Sequence, residues 1–162
     1  MRTSPARYDP AVNPGAAEVD PADVRRVETQ LGALVRRTRS FIAESASDVH
    51  PEIGTTGYAM LARLVDAGPT RATELVDVFD TDKATISRQA AHLEALGLVS
   101  READPSDRRA QIITVTADGR RRIEAARKRN QRRLRAGLAE WDADDVRELG
   151  RLLERFNGLD LR

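Results

Sequence analysis

The chain contains no cysteine, only six aromatic residues and no long apolar run. Without cysteine there can be no disulfide staples, thiolate zinc sites or thiol nucleophiles. Only two histidines occur in 162 residues. His50 with Glu52 is the one pairing that suggests a metal site, and it lacks further ligands. No apolar stretch approaches the ~18 residues of a membrane-spanning helix. The N-terminus has no apolar core of a secretory signal, so a cytoplasmic location away from membranes is expected. There is no glycine-rich phosphate loop and no G-x-S-x-G element, and most acidic residues stand where helix caps or surfaces are expected. Catalysis is therefore not expected, and no cofactor or metal is implied.

The content is 40% hydrophobic and 33% charged, a balance that suits a helix-rich globular domain. Net charge is only +1, but it is unevenly spread. Residues 81–135 hold 14 Lys+Arg against 7 Asp+Glu, and the remainder holds 13 against 19. A basic middle between acidic ends is the footprint of a nucleic-acid-binding region on an acidic scaffold. Lys83 and Lys128 are the only lysines, and a general compositional bias toward arginine would produce the same preference.

The basic region begins within the most informative stretch, Thr70 to Thr116. Thr70 can cap a short helix whose buried side is Ala72, Leu75 and Val76. Val78-Phe79-Asp80 is about the length of a helix-turn-helix turn, ~3–4 residues. A second helix starts at Thr81 or Asp82 as N-cap and ends at Gly97. Ile86, Ala90 and Leu93 form its apolar stripe. Thr85, Arg88, Gln89 and His92 follow i, i+3, i+4, i+7 spacing and are expected to share a polar stripe. Such side chains suit base edges and phosphates, since Arg pairs with guanine and Gln with adenine. An ordinary amphipathic helix with a solvated face would look the same in isolation. A hairpin follows: Leu98-Val99 begins one strand, and Ile112, Ile113 and Val115 mark the return strand. Its expected loop is Asp104-Pro105-Ser106-Asp107-Arg108-Arg109. Arginines there suit a narrow minor groove, or equally a solvated turn with a local pair in which Asp107 orients Arg109.

The flanking segments look like scaffold. Residues 1–19 are expected to be a flexible extension, and Arg2 and Arg7 touching DNA is the less favoured alternative to an inert tail. Asp20-Pro21 opens a long helix. Val24, Val27, Leu31, Leu34, Thr38 and Phe41 then repeat at 3,4,3,4,3 spacing, a seam that suggests packing against a second subunit. His50-Pro51 ends it. A helix from Thr55 to Ala67 buries Tyr58, Leu61, Leu64 and Val65. Thr116 can cap another long helix, whose residues 120–135 hold nine basic side chains against Glu124 alone. Most of these are read as a solvated spacer, with Arg120 and Arg121 close enough to the hairpin to reach DNA. Asp142 caps the last helix, where Val146, Leu149, Leu153 and Phe156 form another seam.

The run DKATISRQAAHLEALGLVSREADPSDRRAQIITVTADGR resembles the recognition helix and wing of the MarR family of winged-helix regulators. Four pieces carry the likeness in order: D-K-x-T-x-S-R, L-E-x-L-G-L-V, D-P-x-D-R-R and V-T-x-x-G. The resemblance extends more weakly over Asp20 to Phe156. It implies a mainly α fold with a small β-hairpin wing, a winged helix-turn-helix over 51–119, and a helical dimerisation region from both chain ends, 20–50 and 120–162. The expected function is that of a sequence-specific, homodimeric transcription regulator, a repressor, on a pseudo-palindromic duplex DNA operator. Thr85, Arg88 and Gln89 are expected at bases, Lys83, Ser87 and His92 at phosphates, and Arg108 or Arg109 in the minor groove. The family also implies a small aromatic effector held between dimer region and reading head, where Phe41, His50, Tyr58 and Arg63 are the candidates. A winged helix used only for DNA architecture or protein contacts is the alternative.

Overall fold

The computed structural model describes residues 19–160, with the side chains of Arg108 and Arg109 excepted. The flexible extension and the DNA contacts of Arg2 and Arg7 fall outside the described residues, apart from Val19. In chain order the elements are α1 (Pro21–Val49), α2 (Gly54–Ala67), β1 (Thr70–Arg71), α3 (Ala72–Phe79), α4 (Lys83–Ala95), β2 (Val99–Asp104), β3 (Asp107–Val115), α5 (Ala117–Gly137) and α6 (Ala143–Asn157). The fold is mainly helical with a small antiparallel sheet. No described helix is long and apolar enough to cross a membrane.

The helix boundaries follow local chemistry. Asp20 accepts the Ala22 N–H at 2.7 Å, occupying one of the donors that a helix start leaves free. Gly68 (φ 81°) closes α2 with its N–H on the Leu64 carbonyl, and Gly97 (φ 70°) leads out of α4; both lie in the left-handed region that favours glycine. The Thr116 hydroxyl accepts from Gly119 N–H and donates to the Gly97 carbonyl, so one side chain caps α5 and ties it to the end of α4.

The sheet has three strands in the order β1-β3-β2, one more than the expected hairpin. Thr70 and Arg71 pair with Ile113 and Ile112. Thr70 is thus a strand residue rather than the cap of α3, and its hydroxyl donates to the Gly68 carbonyl. A two-residue strand has no periodicity for a sequence to display; only pairing with β3 defines it.

The chain divides into two compact units. In the unit from Ala33 to Arg132, Leu61 and Leu64 of α2, Leu75 of α3, Leu93 of α4 and Ile123 of α5 are fully buried. Removing such a side chain costs ~2–5 kcal/mol, so these contacts hold the reading helix in place. Most of the basic residues of α5 are exposed, as expected, but the middle of the helix is tied to its neighbours, with Arg127 half-buried. Arg127 pairs with Asp66 of α2, Arg129 with Asp48 of α1, and Asn130 donates to Ser45 at 2.8 Å. Pairs this exposed contribute ~0–1 kcal/mol each, so their main effect is on register. Arg120 and Arg121 are both exposed, and Arg121 pairs with Asp118 of its own helix.

The other unit comprises residues 19–32 and 133–160 of the described chain. Asp142 holds the N-cap position of α6 without a side-chain bond, and Asp144 and Asp145 follow in the first turn, where negative charge meets the positive end of the helix dipole. No residue of α6 is buried. Leu149, Leu152 and Leu153 are 38–46% exposed, and Val24 and Val27 of α1 are similarly open.

Candidate nucleic-acid interface

The unit α3–turn–α4 is built around two aspartates. Asp80 takes a left-handed conformation (φ 45°, ψ 54°) that ends α3, and Thr81 N–H reaches back to the Val76 carbonyl at 3.3 Å. Asp82 then starts α4. One carboxylate oxygen accepts Thr85 N–H at 2.8 Å, and the other accepts the Thr85 hydroxyl at 2.7 Å. These bonds, the hydroxyl first, hold the Asp82 carboxyl below the usual carboxylate range. The Thr85 hydroxyl in turn accepts from Arg88 Nη2 at 3.0 Å. A chain Asp82–Thr85–Arg88 therefore runs along the outside of the helix and restricts the arginine's rotamers.

The core face of α4 is Ile86, Ala90 and Leu93, while Lys83, Ala84, Ser87 and Arg88 are exposed. The expected four-residue polar stripe is split. At ~100° per residue, Arg88 lies ~140° around the helix from Leu93 but Gln89 only ~40°. Gln89 is half-buried, and its side-chain nitrogen is shut off from solvent without a hydrogen-bond partner. A Cβ on Gly57 of α2 would lie 2.7 Å from that nitrogen. Gln89 thus points toward α2 rather than toward a base. His92 is likewise half-buried, with Nε2 2.9 Å from the Glu52 carbonyl oxygen, so it is engaged by the α1–α2 loop rather than free for a phosphate.

The hairpin beside α4 is tighter than expected. β2 runs to Asp104 and β3 starts at Asp107, leaving Pro105-Ser106 as the turn. Arg108 and Arg109 are strand residues at the beginning of β3, not loop residues. The expected pairing of Asp107 with Arg109 involves a side chain that is not described. Asp104 is the organising group: it is 4% exposed and accepts from both N–H and hydroxyl of Ser106 at 2.7 Å. Arg71 Nε donates to its other oxygen at 2.6 Å. These donors, Ser106 first, hold the Asp104 carboxyl down to about 2. Farther down the hairpin, Arg101 pairs with Glu94 of α4 at 2.5 Å, fastening the wing to the reading helix. Asp-Pro-Ser signals a turn, but the Arg71 partner, 33 residues away, had no sequence signal.

A cavity of about 700 Å³ opens against the inner side of α4. Ile42, Ala59, Met60, Phe79 and Ile86 supply apolar wall, and Arg39, Thr55, Thr56, Thr81, Thr85 and Gln89 supply polar groups. None of the expected pocket residues Phe41, His50, Tyr58 and Arg63 lines it. Tyr58 packs against the core cluster, and His50 Nδ1 accepts the Glu52 N–H at 3.2 Å. These four came from the resemblance and not from a spacing argument, and the residues that line the cavity come from other positions of α1, α2, α3 and α4 and the turn before α4. No group of three or more potential metal ligands occurs among the described residues.

A family model described as the MarR family matches residues 55–110, the span of α2 to the wing. The HTH-type transcriptional regulator YxaD of Bacillus subtilis (strain 168) is 33% identical over 134 residues, covering 83% of this chain and 92% of that protein. The HTH-type transcriptional repressor NicR of Pseudomonas putida is 32% identical, covering 69% and 72%. A crystal structure of MarR superposes with a TM-score of 0.65 at 26% identity, over 80% of this chain and 87% of that one. The winged helix-turn-helix, its exposed Arg88 face and these likenesses agree: the chain belongs to the MarR family of DNA-binding transcription regulators, which are not enzymes.

Proposed function

We propose that the protein is a cytoplasmic homodimeric repressor that binds a pseudo-palindromic operator and is released by a small aromatic effector. The observation that carries the DNA reading is the tethered Arg88. Its guanidinium stands on the exposed face of α4, held by Thr85 and through it by Asp82. Base reading falls to Arg88 with Thr85, phosphate contact to Lys83 and Ser87, and minor-groove contact to Arg108 or Arg109. The apolar seams support pairing of two copies. Leu149, Leu152 and Leu153 of α6 are exposed in the single chain, and an amphipathic helix with one open apolar face is completed by a partner. Two copies would set two reading helices one DNA turn apart.

The effector reading rests on the cavity. Its apolar walls suit an aromatic body, and Arg39 with the threonine hydroxyls suits an acidic head. Because Thr85 and Gln89 belong to both cavity wall and reading helix, occupancy would bear on the DNA face directly. The deciding experiment compares affinity for upstream intergenic DNA with affinity for random duplex. At least a 10³-fold preference is expected of a specific regulator, on the order seen for such proteins; equal affinity would favour the architectural role. A panel of aromatic acids should raise the melting temperature and weaken the specific complex; no shift with any member removes the effector.

A further inference from the structure

The tip of the wing contains an ionic junction, buried on its Asp104 side, that the DNA reading leaves unused. Asp104, the last residue of β2, is almost fully buried, whereas the side chain of its partner Arg71 is 46% exposed. Arg71 Nη2 also donates to the Ser106 hydroxyl at 2.9 Å. Asp104 is therefore gripped from two sides: by the turn it starts and by the strand that leads into α3. Two residues beyond Ser106 the chain reaches Arg108.

We propose that Asp104 is a positioning residue for DNA binding, locking the wing tip to β1 so that the arginines opening β3 stand ready for the minor groove. This rests on the proposed wing contact with DNA. A hairpin joined only by its own ladder can sway about its base, and ordering it on binding costs free energy. Arg71 lies in the strand beside β3 and immediately precedes the first helix of the reading unit, so the bond fixes the wing tip to the body that carries α4. A carboxylate suits this role because it can take the Arg71 guanidinium on one oxygen while the other ties the turn.

The test uses the full-length protein and a duplex that the wild-type protein enriches from a randomised pool. Asp104→Asn keeps an acceptor for the turn but loses the ion pair. Arg71→Ala breaks the same bond from the other side, and Arg71→Lys retains a charged donor. Hydroxyl-radical protection reads the minor groove at the flanks, and guanine N7 methylation protection reads the major groove. Asp104→Asn and Arg71→Ala are expected to bind roughly 10-fold more weakly, the loss expected when a pre-ordered contact must be ordered on binding. Flanking protection should fade while N7 protection persists at saturation, with Arg71→Lys recovering part of the loss. Intact flanks with affinity within twofold of wild type would overturn the proposal. So would parallel loss of both protections with a lowered melting temperature, which would mark a general loss of structure. An Arg108→Ala/Arg109→Ala protein separates the two levels: if its flanks stay protected, the wing reading fails, whatever Asp104 does.

Discussion

Replacing Gly119 by alanine should destabilise the protein, although glycine is the poorer helix former. A Cβ built at this position would lie 2.2 Å from the Leu98 carbonyl oxygen, about 1 Å inside ordinary contact. That oxygen cannot move freely, because it accepts Thr116 N–H at 3.1 Å, just before α5. Alanine gains up to ~1 kcal/mol of helix propensity. Against this, overpacking in a tight contact costs ~1–3 kcal/mol, and a weakened Thr116 bond adds ~1 kcal/mol. The penalty outweighs the gain, leaving a net loss of ~1–3 kcal/mol. For a chain of this size that lowers the melting temperature by ~2–4 °C per kcal/mol, or roughly 2–12 °C in all. The assay is thermal unfolding followed by circular dichroism at one fixed protein concentration, since association would itself shift the midpoint. Gly137→Ala is the control: its Cβ meets nothing within 4 Å, and the change should fall within ~0.5 kcal/mol. A Gly119→Ala protein that melts at or above the parent would refute the close seating of α5 on the wing root.

Further predictions concern the reading helix, the wing and the seam. Arg88→Ala should relax preference at one operator position at a cost of ~1–3 kcal/mol, read by competition among single-base variants; an unchanged preference refutes its role. Gly57→Ala should push the Gln89 amide out of its niche, since the added carbon would sit 2.7 Å from Nε2; amide NMR of Gln89 should show a shift, and an unmoved signal refutes the placement. The depressed carboxyl of Asp104 stabilises the folded state fully above the ordinary value of 3.8, and that contribution is lost as pH falls toward about 2, so the stability gap between wild type and Asp104→Asn should close between pH 4 and 2. A constant gap across that window contradicts the assignment. Leu152→Glu with Leu153→Glu should yield a single-chain species by light scattering; an unchanged mass shows that α6 is not the joining face.

The sequence by itself determined the order of helices, the caps at Asp20 and Thr116, the choice of Thr81 or Asp82 as the cap of α4, and the reading unit. Each depends on neighbours a few residues apart, and helical spacing and capping chemistry are local properties that a linear string displays. It also indicated the family through four short pieces, including the glycine that lets α5 approach Leu98. Tertiary structure alone decided the third strand, the Arg71–Asp104 junction, the pairing of Arg127 and Arg129 with α2 and α1, and the inward turn of Gln89. These join residues tens of positions apart, or turn on ~40° of helix rotation relative to a packed neighbour. Periodicity can place a side chain on a stripe, but only the opposing surface fixes where that stripe stops being solvent and becomes wall.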